Sequence, residues 1–167
     1  MTRIIAVIVG LLLVSANAYA ADSPFYGTWK LNLAKSHMTN PRQAANDDHG
    51  SGSPYSRLTV FAPYGDDGVT RVSIGDENPN VSGSIEYLSA KFDGKDYAIN
   101  GGDPRIVVLT RVDRSTINMV TKRHGKVTRH AQMKVSPDGK TLTDTSSGEN
   151  AVGAPYSGQV EVFDRLE

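Results

Sequence analysis

A single all-β domain, closed into one antiparallel up-and-down barrel of about 8–10 strands, is what this sequence predicts, and three observations carry the prediction. From Ser56 onward no stretch sets apolar residues at helical spacing over the roughly 10 to 12 positions a helix needs. Period-2 alternation recurs there instead, interrupted by clusters of Gly, Asp, Asn and Pro. The resulting strands are sequence neighbours, and a meander of this kind leaves two long edges of unpaired N–H and C=O groups unless it closes on itself. Closure is therefore preferred to an open sandwich.

The elements follow in order. Tyr26 to Leu31 is the first strand. Lys35 to Pro54 carries Asn40, Pro41, Asn46, Asp47, Asp48, Gly50 and Gly52 with almost no apolar periodicity, and is expected as a long polar loop, residues 35–54. Arg57 to Ala62 alternates and stops at Pro63-Tyr64-Gly65-Asp66-Asp67-Gly68, whose Asp and Gly residues supply turn conformations. Val69 to Ile74 follows. Ser84 to Phe92 sets Ile85 and Tyr87 against Leu88, Ala90 and Phe92, and Asp93-Gly94 is a two-residue hairpin signal leading into Lys95 to Ile99. Arg105 to Val112, Thr116 to Arg123 and Lys126 to Val135 are three further strands, separated by Asp113-Arg114-Ser115 and by His124-Gly125. Ser136-Pro137-Asp138-Gly139 turns into Thr141 to Thr145, Ser146 to Ser157 reads as a second loop of small residues, and Gln159 to Arg165 ends the ladder.

The segment before the ladder has a different character. Arg3 gives it a cationic head, Ile4 to Val14 an apolar stretch, and Ala18-Tyr19-Ala20 the small-x-small pattern read by signal peptidase. That stretch is about eleven residues where spanning a bilayer takes roughly 20. A cleaved signal peptide is expected over residues 1–20, leaving a barrel domain over 21–167 that is periplasmic or secreted, with no membrane span after cleavage. Losing Arg3 leaves 17 basic residues against 18 acidic ones.

Composition excludes several classes of function. With 18 basic residues against 18 acidic ones in the whole chain, no excess charge is available to condense on phosphate, and no nucleic-acid partner is expected. The absence of cysteine excludes disulfides, thiolate nucleophiles, cysteinyl zinc sites, cysteine-ligated iron–sulfur clusters and a lipoprotein anchor. His37 and His49 share the first loop with Asp47 and Asp48 but lack the HExxH spacing of a zinc site, so no metal is expected. Gly50-Ser51-Gly52 and Gly101-Gly102 lack the helix and lysine of a phosphate cradle, and no cofactor is expected. There is no Gly-x-Ser-x-Gly elbow.

The remaining chemistry concentrates late in the chain. His130 lies on a strand and shares its parity with Thr128, Gln132 and Lys134, a polar set suited to a solvent-facing side. Were that side the lumen, a general base would stand beside the cation of Arg129, and His124 at a hairpin tip is a second candidate of the same kind. Arg111, Arg114, Lys122, Arg123, Lys126 and Arg129 cluster in three strands with Asp113 interleaved, which makes either a cationic rim for an anionic ligand or partner, or a solvated sheet surface. Tyr87, Phe92, Tyr97, Ile106, Val108, Ile117, Met119 and Met133 sit on the strands that would wall the barrel, as pocket lining or as core. Tyr87, Tyr97, Met119 and Met133 are the ligand-binding candidates, with the inward parity left open by the pattern.

Phe25-Tyr26-Gly27-Thr28-Trp29-Lys30-Leu31-Asn32 places a Gly-x-Trp on the first strand. In this setting it resembles the signature of the lipocalin and calycin superfamily. The wider string from Gly27 to Ser36, Lys91-Phe92-Asp93-Gly94-Lys95-Asp96-Tyr97, the Asp138 to Thr143 turn and the ending Val162-Phe163-Asp164-Arg165 are similar to a group of exported bacterial lipocalin-like proteins of unsettled role. The resemblance implies a barrel whose chain bends at Gly27, whose closed end is plugged by Trp29, and whose last strand lays a cation, Arg165, over that indole. It implies the fold far more than the activity.

A barrel of this size either fills its lumen with side chains or holds one small ligand. The expected function is an exported binding protein for a small hydrophobic or amphipathic ligand. The alternatives are a lumen-site isomerase, lyase or hydrolase acting on a small apolar substrate through His130 or His124 with a neighbouring Arg, and an envelope protein-interaction module.

Overall fold

The computed structural model describes residues 23–37, 56–76, 84–101, 104–149 and 153–167. Along the described chain run ten strands: β1 (Gly27–Leu31), β2 (Ser56–Pro63), β3 (Gly68–Asp76), β4 (Ser84–Lys91), β5 (Asp93–Asn100), β6 (Arg105–Asp113), β7 (Thr116–Arg123), β8 (Lys126–Val135), β9 (Thr141–Glu149) and β10 (Pro155–Leu166). One short 3-10 turn, Leu33–Lys35, follows β1. Each strand pairs antiparallel with its sequence neighbours, and β1 pairs with both β2 and β10, so the sheet is a closed up-and-down barrel. Closure runs through Thr28↔Leu166, Trp29↔Arg165, Lys30↔Asp164 and Leu31↔Phe163. Among the described residues, no helix is long and apolar enough to cross a membrane. Residues 1–20 and most of the 35–54 loop lie outside the described residues.

Alternation along each strand sends one parity inward, and the inward set grades from apolar to charged along the barrel axis. Trp29, Phe61, Val69, Leu88, Ala90, Leu109, Ile117, Val135 and Leu142 fill the end where β1 begins. Trp29 is 0% exposed there. Its Nε1 donates to the Phe25 carbonyl at 2.8 Å, and the Phe25 ring meets Phe61 edge-on at 6.3 Å. Arg165 closes this floor from outside. Its guanidinium carbon lies 4.1 Å from the Trp29 ring centre, as the resemblance implied. Its Nε donates to Gly139 O at 2.5 Å, Nη1 to Tyr26 O at 2.7 Å and Nη2 to Pro24 O at 2.5 Å.

That arrangement explains the glycine of the Gly-x-Trp pair. Gly27 has φ +129°, a conformation L side chains rarely adopt, and a Cβ there would stand 2.5 Å from Arg165 Nη1. A second stacked cation lies nearby, with the Arg111 guanidinium 4.2 Å from the Phe92 ring centre and 2.9 Å from Asp67.

Two local expectations are corrected. Asp93-Gly94 is not the tip of a two-residue hairpin: both belong to β5, and the chain reverses around Phe92, whose ring enters the core and whose N–H donates to Asp67 O at 3.1 Å. A register shift between Asp93 and Asp96 absorbs the change, and among the described residues β4 and β5 share just the Tyr87↔Asn100 and Leu88↔Ile99 pairs. Ser146 to Ser157 is largely strand rather than loop, since β9 extends to Glu149 and β10 begins at Pro155. Glycine is required at position 148: the β8 backbone approaches so closely that a Cβ there would strike the Thr128 carbonyl oxygen. The described start of the polar loop lies against β10, with His37 and Val160 exchanging backbone hydrogen bonds of 2.7 and 2.6 Å.

Two predictions follow from this construction. Trp29→Ala lowers stability by about 3 to 5 kcal/mol, and Arg165→Lys, which keeps the charge but not the fork that reaches three carbonyls, lowers the urea midpoint measurably; wild-type midpoints for both contradict the plugged floor. Asp164 accepts hydrogen bonds from the Lys35 ammonium (2.8 Å) and the Asn32 amide (2.7 Å), which hold its carboxyl below the usual range. Because the folded value lies below the unfolded one, this contribution is complete above the unfolded pKa of about 4 and is lost as pH falls through the folded value. Asp164→Asn should therefore show a shallower loss of stability between about pH 5 and 2 than the wild type, measured by urea unfolding.

Candidate functional site

Opposite the floor, the inward parity becomes polar and the barrel holds a cavity of about 570 Å³. Its base is apolar, made by Phe61, Ile99, Met119, Met133, Leu142 and Phe163. Above these stand charged side chains, because the same parity that places Val69, Leu88, Leu142 and Phe163 in the core places Arg71, Glu86, Asp144 and Glu161 one step nearer the mouth. His124, Lys126 and Gly153 lie exposed at the rim.

Most of these charges are paired. Arg57 on β2 reaches across β1 to Glu161 on β10, with Nη1 2.8 and 3.0 Å from the two carboxylate oxygens. Arg129 Nη2 lies 2.7 Å from both oxygens of Asp144. Both acids are buried. Burial works against the Arg129 charge, but the Asp144 carboxylate, with Glu161 adding to it, more than offsets this and raises its pKa. Glu86 serves two cations: Arg105, reaching over β5, bonds one oxygen, and Arg71 Nη2 lies 3.6 Å from the other. The Arg105 contact spans the seam where β4 and β5 pair least. Lys126 pairs with Glu149 at the rim at 2.7 Å, and Thr59 and Ser73 share a hydroxyl hydrogen bond of 3.1 Å inside.

The candidate residues disperse. Met119 and Met133 are buried and line the cavity base. Tyr87 does not: it is 52% exposed on the outer face, paired with Val72 and near exposed Ile74 and Ile85, because the inward parity of β4 is that of Leu88 and Ala90. Tyr97 packs half-buried against the apolar core and donates its hydroxyl to Asp93 at 3.1 Å, and it is not among the cavity-lining residues. Ile106 and Val108 likewise give way to Val107 and Leu109, which take the inner positions of β6. His130 stands exposed on the outer face while Arg129, its neighbour, points inward, so the two are not brought together. A register shift beside Thr121 and Lys122 puts both Thr128 and Arg129 against the cavity. His124 occupies a turn with φ +49°, followed by Gly125 at +78°, the mirror-image hairpin geometry.

Nor is the basic run of β6 to β8 one surface. Arg111 is stacked on Phe92, Lys122 reaches Asp96 at 2.7 Å outside, and Arg129 is inside. Among the described residues no group of three or more His, Asp or Glu side chains is placed to hold a metal ion.

Sequence reasoning missed Arg57, Arg71, Glu86, Arg105, Asp144 and Glu161. A readable signal existed: each is a charge on the parity otherwise occupied by core residues of the same strand, where a soluble barrel normally places none unless paired. No protein-family model, curated protein or solved structure matches this chain.

Removing one partner of a buried pair strands the other. Glu161→Gln and Asp144→Asn are each expected to cost about 2 to 4 kcal/mol in urea unfolding, whereas Arg57→Met with Glu161→Leu together should cost less than Glu161→Gln alone. A double variant that loses as much stability as Glu161→Gln, or more, contradicts the pairing.

Proposed function

We propose that the mature chain is an exported binding protein that holds one small amphipathic molecule in the open half of its barrel. The observation that carries this reading is the division of the lumen: one half packed solid with side chains, the other a cavity of about 570 Å³ with an apolar base and a polar, charged wall. Pockets that take small organic ligands run to roughly 300 to 1,000 Å³ and combine apolar lining with a few fixed polar groups. A ligand entering at the rim meets Met119 and Met133 at the base, and methionine side chains adapt to varied apolar shapes. The reading also supposes that residues 1–20 direct the chain across a membrane, which their cationic head, apolar stretch and Ala-x-Ala ending support.

The test is native mass spectrometry of the mature protein purified from its own host, with fluorescence of 8-anilinonaphthalene-1-sulfonate as an independent probe. Expected are a small non-covalent adduct that denaturation releases, dye binding at about one equivalent, and loss of that binding in Ser73→Trp, which fills the cavity from its wall. A bare protein mass together with no dye binding contradicts the proposal.

A further inference from the structure

The charged wall of the cavity is not balanced. Among the described residues, Arg57 and Arg129 each have a carboxylate of their own, in Glu161 and Asp144. Arg71 and Arg105 share Glu86. That group of seven side chains therefore holds four guanidiniums and three carboxylates. The imbalance is localised at the shared acid: Arg71 lies 3.6 Å from it, beyond hydrogen-bond length, and among the described residues the buried Nε–H groups of Arg71 and Arg105 have no hydrogen-bond partner.

An unsatisfied buried donor on a charged group is costly, and native interiors seldom keep one. Among the described residues three guanidinium Nε–H groups are so placed, on Arg71, Arg105 and Arg111, and two of the three belong to the cations that share one carboxylate. Burial pulls the Arg71 guanidinium below its ordinary value; Glu86 opposes this, and the cations of Arg129 and Arg57 lower it further. Arg71 is thus a cation whose charge is disfavoured chiefly by burial.

Resting on the lumen reading above, we propose that Arg71, Arg105 and Glu86 form a head-group subsite that takes the carboxylate of a small amphipathic monoanion, with its apolar part toward Ile99, Met119 and Met133. Two guanidinium forks present planar donor edges that match a carboxylate bidentately. One added negative charge balances that group of seven side chains. A neutral head group leaves the charge uncompensated, and a cationic one is repelled by it.

Isothermal titration of the mature protein with octanoate, octanol and octyltrimethylammonium tests this, because the three share a tail and differ in charge. Octanoate is expected to bind about tenfold or more tighter than octanol, and the cation more weakly than either. Arg71→Gln should abolish the preference for octanoate while leaving octanol affinity in place. Glu86→Gln releases both guanidiniums, so it should bind octanoate tighter than the wild type and gain a larger thermal shift from it, a gain that a purely structural role for Glu86 does not produce. Equal affinity of the wild type for octanoate and octanol overturns the head-group assignment and leaves the lumen reading standing. Failure of all three amphiphiles and of the anilinonaphthalene dye to bind overturns the lumen reading and the subsite together.

Discussion

The guanidinium of Arg165 joins two separate stretches of backbone, at Pro24 and Tyr26 and at Gly139, beneath the face of Trp29. β1 is only five residues long, yet it is the strand that pairs with both β2 and β10 and so closes the sheet. A strand that short contributes few ladder hydrogen bonds, so the barrel's closure depends on what holds β1 in place. The buried indole, its bond to Phe25, and the cation stacked below supply that hold from the end of the strand. Glycine at position 27 is the condition for it, since any side chain would occupy the path of the guanidinium.

A filled floor dictates where the polar residues can go. The closed half excludes water and is stabilised by apolar burial, while the open half keeps several buried charges whose desolvation is costly. Two of the ion pairs there do what ladder bonds cannot, because they link strands that are not neighbours: Arg57 to Glu161 across β1, and Arg105 to Glu86 across β5. The second spans the seam at which β4 and β5 pair least. Such pairs add little net stability and fix a particular arrangement of the wall, which is what a selective cavity needs.

Much of this architecture could be read from residue order. Strand number and sequence followed from period-2 patterning and turn chemistry, and closure followed from the cost of open edges. The misplaced features share a cause. Parity is ambiguous when both faces of a strand carry apolar residues, as on β4, where Ile85 and Tyr87 face out and Leu88 and Ala90 face in. Gly148 and its small neighbours look like loop until the close approach of β8 is known, a tertiary fact with no local signature. The candidate site was harder still. Arg71, Glu86, Asp144 and Glu161 come from four strands, and their meeting depends on barrel register rather than on any motif.

The absence of cysteine from the chain makes one measurement direct. Ser73→Cys puts a thiol on the cavity wall and Ala90→Cys puts one in the floor, which is 0% exposed. The account requires that small methanethiosulfonate reagents modify the first in the native protein, the anionic reagent faster than the cationic one, and reach the second only on unfolding. Equal protection at the two positions, or faster modification of Ser73→Cys by the cationic reagent, would contradict a barrel plugged at one end and open to anions at the other.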